Sequence, residues 1–293
     1  MEERDVYKPA RFFFGAILIT WAAWFAAAYF SYRQGGGAKA WLSVLELAGL
    51  FGPSCAALGL IFTSKNAALR REFFGKLFDL RRIRPLTLPA AVLIMPLAAV
   101  LSVFFSCLFF GRSPDQLTLI KTASYSAGLV PVPVMFFGAA LAEEVGWKGY
   151  GMESLRGERS FFTATLLFAA LWTFWHVPLF FIDHYFHHEI FKAHPVFALD
   201  FVVSVFSMAF IINWLWYRNR GSILTAVLFH AAANVQGLLQ MGQTARDLEA
   251  AVLLLIAAMT VCFNRKMFFD KFPAKTGDFG PETSGARGRR PVS

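Results

Sequence analysis

A chain of 293 residues that is 57% hydrophobic and 16% charged, with 34 Phe and 8 Trp, lies well below the roughly one-quarter charged residues of an ordinary soluble domain, which excludes that class. Its net charge of +9 does not point to nucleic acid, because the basic residues gather at the ends of apolar stretches. Cys55, Cys107 and Cys262 are odd in number and embedded in apolar sequence, which excludes a disulfide framework or a thiolate zinc site and predicts three small buried side chains.

Apolar stretches fall near 12–32, 41–63, 86–110, 127–146, 161–182, 196–217, 222–240 and 250–264, most of them long enough to cross about 30 Å of hydrocarbon as helix. The first, FFFGAILITWAAWFAAAYF, exceeds a signal h-region and follows the charge-balanced MEERDVYKPAR, so it is expected to stay as a span. With the N-terminus inside, 22 of the 28 Lys and Arg residues fall in inner segments. The positive-inside rule then predicts about eight spans with both termini cytoplasmic.

Between the second and third spans, NAALRREFFGKLFDLRRIR places Leu69, Phe73, Leu77 and Leu80 at helical spacing opposite a basic face. That pattern predicts a helix on the inner leaflet. The tail PAKTGDFGPETSGARGRRPVS is rich in Pro, Gly and charge, and residues 271–293 are expected to be disordered, basic and cytoplasmic. The expected fold is thus all-α, a polytopic membrane helix bundle around a central polar cavity. Residues 1–270 form one transmembrane domain whose motif-bearing core covers about 127–241.

Several polar residues sit where hydrocarbon makes them costly. Glu143, Glu144 and Lys148 end the fourth stretch, His176 lies in ALWTFWHVPLFF, and His230 with Asn234 in LTAVLFHAAANVQG. Glu144 and Lys148 are i, i+4 neighbours and pair on a helix, which leaves Glu143 to find a partner on another helix or in water. His230 and Asn234 share one face, flanked by alanines that admit close helix approach. Each has a plain structural reading, as an ion pair, interhelical glue or a satisfied core histidine. Together a carboxylate, two imidazoles and a carboxamide from three helices supply a base for water, a proton shuttle and oxyanion donors, the parts of a hydrolase.

With these residues in view, LAEEVGWKGY resembles the EExxxR motif, WTFWH the FxxxH motif and HAAAN the HxxxN motif of the CPBP intramembrane proteases, the CAAX protease and bacteriocin-processing, or abortive-infection, family. The resemblance implies an intramembrane endopeptidase with an eight-helix layout. In it Glu143 activates water with His176, His230 and Asn234 form the oxyanion site, and Glu144 and Lys148 hold the first motif in shape. Lys148 stands where the family has arginine and Trp172 where it has phenylalanine; lysine cannot reproduce a bidentate guanidinium contact. The expected substrate is a peptide or protein, lipidated or membrane-associated, entering from the cytoplasmic side of a bacterial inner membrane, with lipids as the other partner and no nucleic acid.

No cofactor is expected, since the HExxH pairing that chelates zinc is absent; the alternative keeps the protease and adds zinc. A reading of a different class is a catalytically silent scaffold or transporter, because intramembrane acids and histidines also mark ion pathways. In DHYFHHEIFKAHP, His184, His187, His188 and His194 read as a solvated outer loop, with a metal pair at His184 and His188 as the lesser reading if the segment is helical. Counting 1.5 Å per residue places His176 in the outer half of the bilayer and His230 nearer its inner side.

Overall fold

A computed structural model describes residues 7–33, 35–116, 118–119, 132–155, 159–193, 197–237 and 239–271. The first half holds α1 (Pro9–Ser31), α2 (Gly36–Leu50), α3 (Gly52–Thr63), α4 (Ala67–Phe78) and α5 (Leu88–Phe110). Then come α6 (Val132–Gly146), a π-helical stretch Trp147–Gly151, α7 (Met152–Ser154) and α8 (Phe161–Trp175). The chain closes with α9 (Phe186–Ala193), α10 (Phe197–Arg218), α11 (Ile223–Gln236), α12 (Gln243–Phe263) and α13 (Arg265–Phe269). Two residues on each side of α6 and α11, β1 (Thr118–Leu119) and β2 (Leu239–Gln240), pair antiparallel. The fold is an all-α bundle.

Its surface has the polarity of a protein in lipid. On α5, Leu93, Leu97, Val100, Phe104 and Leu108 face outward, whereas Ala91, Ala98, Ala99, Ser102 and Ser106 are buried. Small residues thus face the neighbouring helices and large apolar ones face away, as membrane packing requires. The stretches 9–31, 85–110, 161–181 and 198–218 are each long and apolar enough to span, and α2 with α3, bent by 48°, makes a fifth if read as one broken span. The protein is integral to a membrane. Length and composition therefore establish four to five of the eight expected spans; α6 and α11, with 15 and 14 residues, are shorter than about 20 residues of spanning helix.

α6 packs between α3 and α11, and α11 in turn against α5. The close approach of α6 to α3 depends on Gly146, where an added Cβ would stand 2.3 Å from the Pro53 carbonyl carbon. The Ser54 hydroxyl, on the same seam, donates to the Ala142 carbonyl. These contacts place the last turn of α6, with its two glutamates, at the centre of the bundle.

Two expectations are corrected. Cys55 and Cys262 are exposed and Cys107 half-buried: the first two point outward from their helices, where a small apolar side chain is equally at home, and Cys107 packs against the cluster of Ala99, Val103, Met241 and Ala245. The helix expected on the inner leaflet forms as α4, capped by Asn66, whose side chain accepts from the Ala68 and Leu69 amides at 2.9 and 3.0 Å. It does not lie free on a surface, however: Leu69 and Phe73 are buried, and Lys76 reaches Glu153 at 2.6 Å and Glu72 at 2.5 Å. Phe73 occupies the space left by Gly149, where a Cβ would meet its ring at 2.5 Å. The expected tail lies outside the described residues from 272 onward; Lys271 makes an isolated bridge to Ser160.

Candidate active site

Glu143 and Glu144 stand one residue apart at the end of α6 and are both buried, Glu144 completely. Neighbouring residues on a helix point about 100° apart, so the two carboxylates meet different partners. Glu143 Oε2 accepts from two indoles, Trp147 Nε1 and Trp172 Nε1, each at 3.4 Å. Its other oxygen, Oε1, lies 3.9 Å from His230 Nε2.

Glu144 Oε1 lies 2.8 Å from His230 Nδ1. Lys148 Nζ is 3.7 Å from Glu144 Oε2, beyond hydrogen-bond reach, and sits 3.8 Å over the Phe168 ring. The i, i+4 pair expected between Glu144 and Lys148 therefore exists, but the tighter partner of Glu144 comes from α11. Lys148 falls in the π-helical stretch, whose wider winding shifts an i+4 side chain from its α-helical position.

Trp172 joins the remaining parts. Its ring lies 5.6 Å from that of His230 and 5.9 Å from that of His176, so both imidazoles flank the indole that bonds Glu143. His176 caps α8, and its Nδ1 donates to the Trp172 carbonyl at 2.7 Å. That bond places the hydrogen on Nδ1 and leaves Nε2 as the free acceptor. The depth count that set the two histidines apart treats every helix as perpendicular to the bilayer; α8 instead ends at Trp175 and turns into the 3-10 stretch Val177–Phe181, beside the same indole.

Asn234 lies one turn beyond His230 on α11, and its Nδ2 donates to the Phe136 carbonyl at 3.4 Å. This ties α11 to α6. Among the described residues its hydrogen bond goes to that carbonyl and to neither glutamate.

Two neighbours of the site, Trp147 and His187, are not among the residues that the sequence assigns to it. Trp147 is readable in hindsight, because it stands four residues after Glu143 and an i+4 indole meets the same helix face. His187 was placed in a solvated loop, yet it is 8% exposed, stacked on His176 at 5.7 Å with 23° between ring planes. Among the described residues neither of its ring nitrogens has a hydrogen-bond partner. Burial first, and the neighbouring His176 second, hold its proton affinity well below the ordinary imidazole value, so the ring is neutral.

The rest of the outer histidine cluster behaves otherwise. The helix there begins at Phe186, and His184 sits before it at φ 60°, so His184 and His188 are not neighbours on one helix as the metal reading required. His188 Nδ1 donates to the Phe180 carbonyl at 2.9 Å. His184, Asp183 and Glu189 bring donor atoms within 4.8 Å of one another at the surface, away from the glutamates of α6. His194 lies outside the described residues.

Two comparisons bear on the identity of this arrangement. Residues 125–236, which contain all of the site, match the family model described as Type II CAAX prenyl endopeptidase Rce1-like. Over 266 residues the chain is 36% identical to CAAX prenyl protease 2 of Methanococcus maripaludis, an alignment that covers 90% of this chain and 97% of that relative.

Proposed function

The chain belongs to the family of type II CAAX prenyl endopeptidases, membrane peptidases acting on peptide or protein substrates, and on that premise we propose that it cleaves by a water molecule activated at Glu143. The observation that carries the reading is the asymmetry of that carboxylate. Oε2 is held by two indole N–H groups, and Oε1 faces His230. A carboxylate oriented through one oxygen offers the other as a base.

In the proposed reaction Glu143 removes a proton from water, whose oxygen attacks the scissile carbonyl carbon. His176 Nε2, left free by the bond of Nδ1 to Trp172, accepts a hydrogen bond from the same water and takes its second proton as the acid product ionises, releasing it with the product. Held as an imidazolium by the two carboxylates, His230 donates Nδ1–H to Glu144 and turns Nε2–H to the oxyanion, and Asn234 supplies a second donor after exchanging the Phe136 carbonyl for it. The proton held by Glu143 then passes to the departing amine. Glu144 and Lys148 act by fixing His230.

The substrate class follows from the relative's name: a CAAX prenyl protease acts on prenylated termini, and we infer a prenylated or otherwise membrane-associated peptide here. The cytoplasmic placement of both termini remains part of this reading, supported by the distribution of Lys and Arg, and so does a bacterial inner membrane, supported by the short loops between spans. The zinc alternative keeps one point in its favour, since Glu143 Oε1 and His230 Nε2 at 3.9 Å are spaced for a bridging ion. Against it, a zinc site takes at least three protein ligands, and among the described residues the group of three that could hold an ion is Asp183, His184 and Glu189 at the surface, not the glutamates of α6.

The test is cleavage of a farnesylated CAAX peptide by the purified protein in lipid nanodiscs. Glu143→Gln keeps the shape and the indole contacts, and is expected to lower kcat by about 10²–10⁴ with the fold intact. Near-normal turnover by this variant would falsify the glutamate-base reading. Loss of activity in chelator, restored by added zinc, would replace it with the metal alternative.

A further inference from the structure

We propose that His187 is a positioning residue for His176: carried onto it by α9, it accepts a hydrogen bond from the His176 ring when that ring becomes protonated during turnover. The inference rests on the reading of His176 as a group that handles a proton at the reacting water.

The environment of His187 is an aromatic cage. Phe201 stands edge-on at 4.5 Å, Phe180 at 5.3 Å and Phe186 at 5.5 Å, and Tyr185 stacks at 5.7 Å. A phenylalanine would fill this cage without burying two unpaired polar atoms, so packing alone gives no reason for an imidazole. Of the two rings stacked on His187, Tyr185 and His176, the one that can gain a proton near neutral pH is His176. Because the Nδ1 hydrogen of His176 is committed to the Trp172 carbonyl, a proton gained in turnover goes to Nε2 and creates a buried cation.

His187, neutral in its cage, then offers a lone pair. A turn of its ring from the stacked towards the edge-on arrangement directs a nitrogen at His176, and the proton stays on His176 throughout. The resting structure leaves the acceptor unused; the protonated intermediate uses it. This is differential stabilisation of a state within the reaction, which appears in kcat and not in substrate affinity.

The test compares His187→Phe with His187→Gln, whose amide oxygen restores an acceptor. His187→Phe is expected to keep or raise the melting temperature, leave KM within about twofold and lower kcat by about 10- to 100-fold, while His187→Gln regains most of the lost kcat. If the phenylalanine variant does not accumulate, His187→Leu serves as the variant without an acceptor. A kcat within about twofold of the parent would show that the ring only packs, and a raised KM at unchanged kcat would show that it touches substrate; either overturns the proposal. Glu143→Gln is assayed beside them. Turnover in that variant defeats the broader catalytic reading, whereas an inactive Glu143→Gln with a fully active His187→Phe defeats this inference alone.

Discussion

His230 Nδ1 lies 2.8 Å from Glu144 Oε1 while Nε2 of the same ring lies 3.9 Å from Glu143 Oε1, so one imidazole of α11 bridges two consecutive carboxylates of α6. The bridge ties the two helices together through side chains that neither could satisfy alone. It also answers why adjacent glutamates are tolerated inside an apolar bundle: they face different partners, two indoles for one and an imidazole with a lysine for the other.

Removing the bridge is expected to cost stability as well as activity. In His230→Ala, Glu144 keeps only the Lys148 ammonium at 3.7 Å, and breaking one partner of a buried charged pair costs about 3–5 kcal/mol. Thermal unfolding followed by light scattering or tryptophan fluorescence should report a lower midpoint and no cleavage. An unchanged midpoint would mean that Glu144 is satisfied without His230.

Lys148 is expected to be replaceable by arginine and not by alanine. Lys148→Ala leaves Glu144 Oε2 with no cation in a fully buried position and opens a cavity beside Phe168, so the yield of folded protein should fall. Lys148→Arg restores the family residue and keeps a cation of greater reach beside Glu144; its folded yield and turnover should stay close to those of the parent. Equal yields for the alanine variant would assign Lys148 no part in holding Glu144.

Trp172→Phe also restores a family residue, yet it removes one of the two indole N–H groups on Glu143 Oε2. Since Trp147 supplies the other, the single variant is expected to lose about 3- to 10-fold in kcat, the worth of one hydrogen bond. Trp147→Phe should lose a similar amount. The double variant should lose more than the product of the two, because Oε2 is then a buried acceptor with no donor; strict additivity would argue that the indoles do not act on a shared oxygen.

Gly146→Ala tests how the site is positioned. Its Cβ would stand 2.3 Å from the Pro53 carbonyl carbon and 2.5 Å from the oxygen, backbone atoms of α3 that have nowhere to withdraw. Overpacking of this kind costs about 1–3 kcal/mol or more, and any relief displaces the turn that carries Glu143. The expected result is reduced stability together with a large loss of kcat, and wild-type values for both would show that α3 and α6 separate easily.

The side of substrate entry is open to a labelling experiment. After replacement of Cys55, Cys107 and Cys262, single cysteines beside Glu143 and His230 should react with an impermeant thiol reagent in inside-out vesicles and not in right-side-out ones. The reverse pattern would place entry on the outer face.

That the chain belongs in a membrane is legible in its residues alone, because long apolar runs and the one-sided spread of Lys and Arg are local properties that need no neighbour to express them. Which polar residues are out of place in hydrocarbon is legible there too, since the cost of Glu143, Glu144, His176, His230 and Asn234 is a property of each side chain. Helical periodicity further fixed the pairs within one helix, Glu144 with Lys148 and His230 with Asn234. Only the tertiary structure decided which partner prevails. The closest contact of Glu144 is an imidazole from a helix 86 residues away, a distance no local period encodes, and the π-helical winding after Gly146 weakens the local lysine contact. His187 was legible as a histidine in a polar outer segment and nothing more. Its burial against His176 follows from the turn after α8 folding α9 back over the bundle, where burial by distant aromatic rings, and not the polarity of its own neighbours, sets its environment.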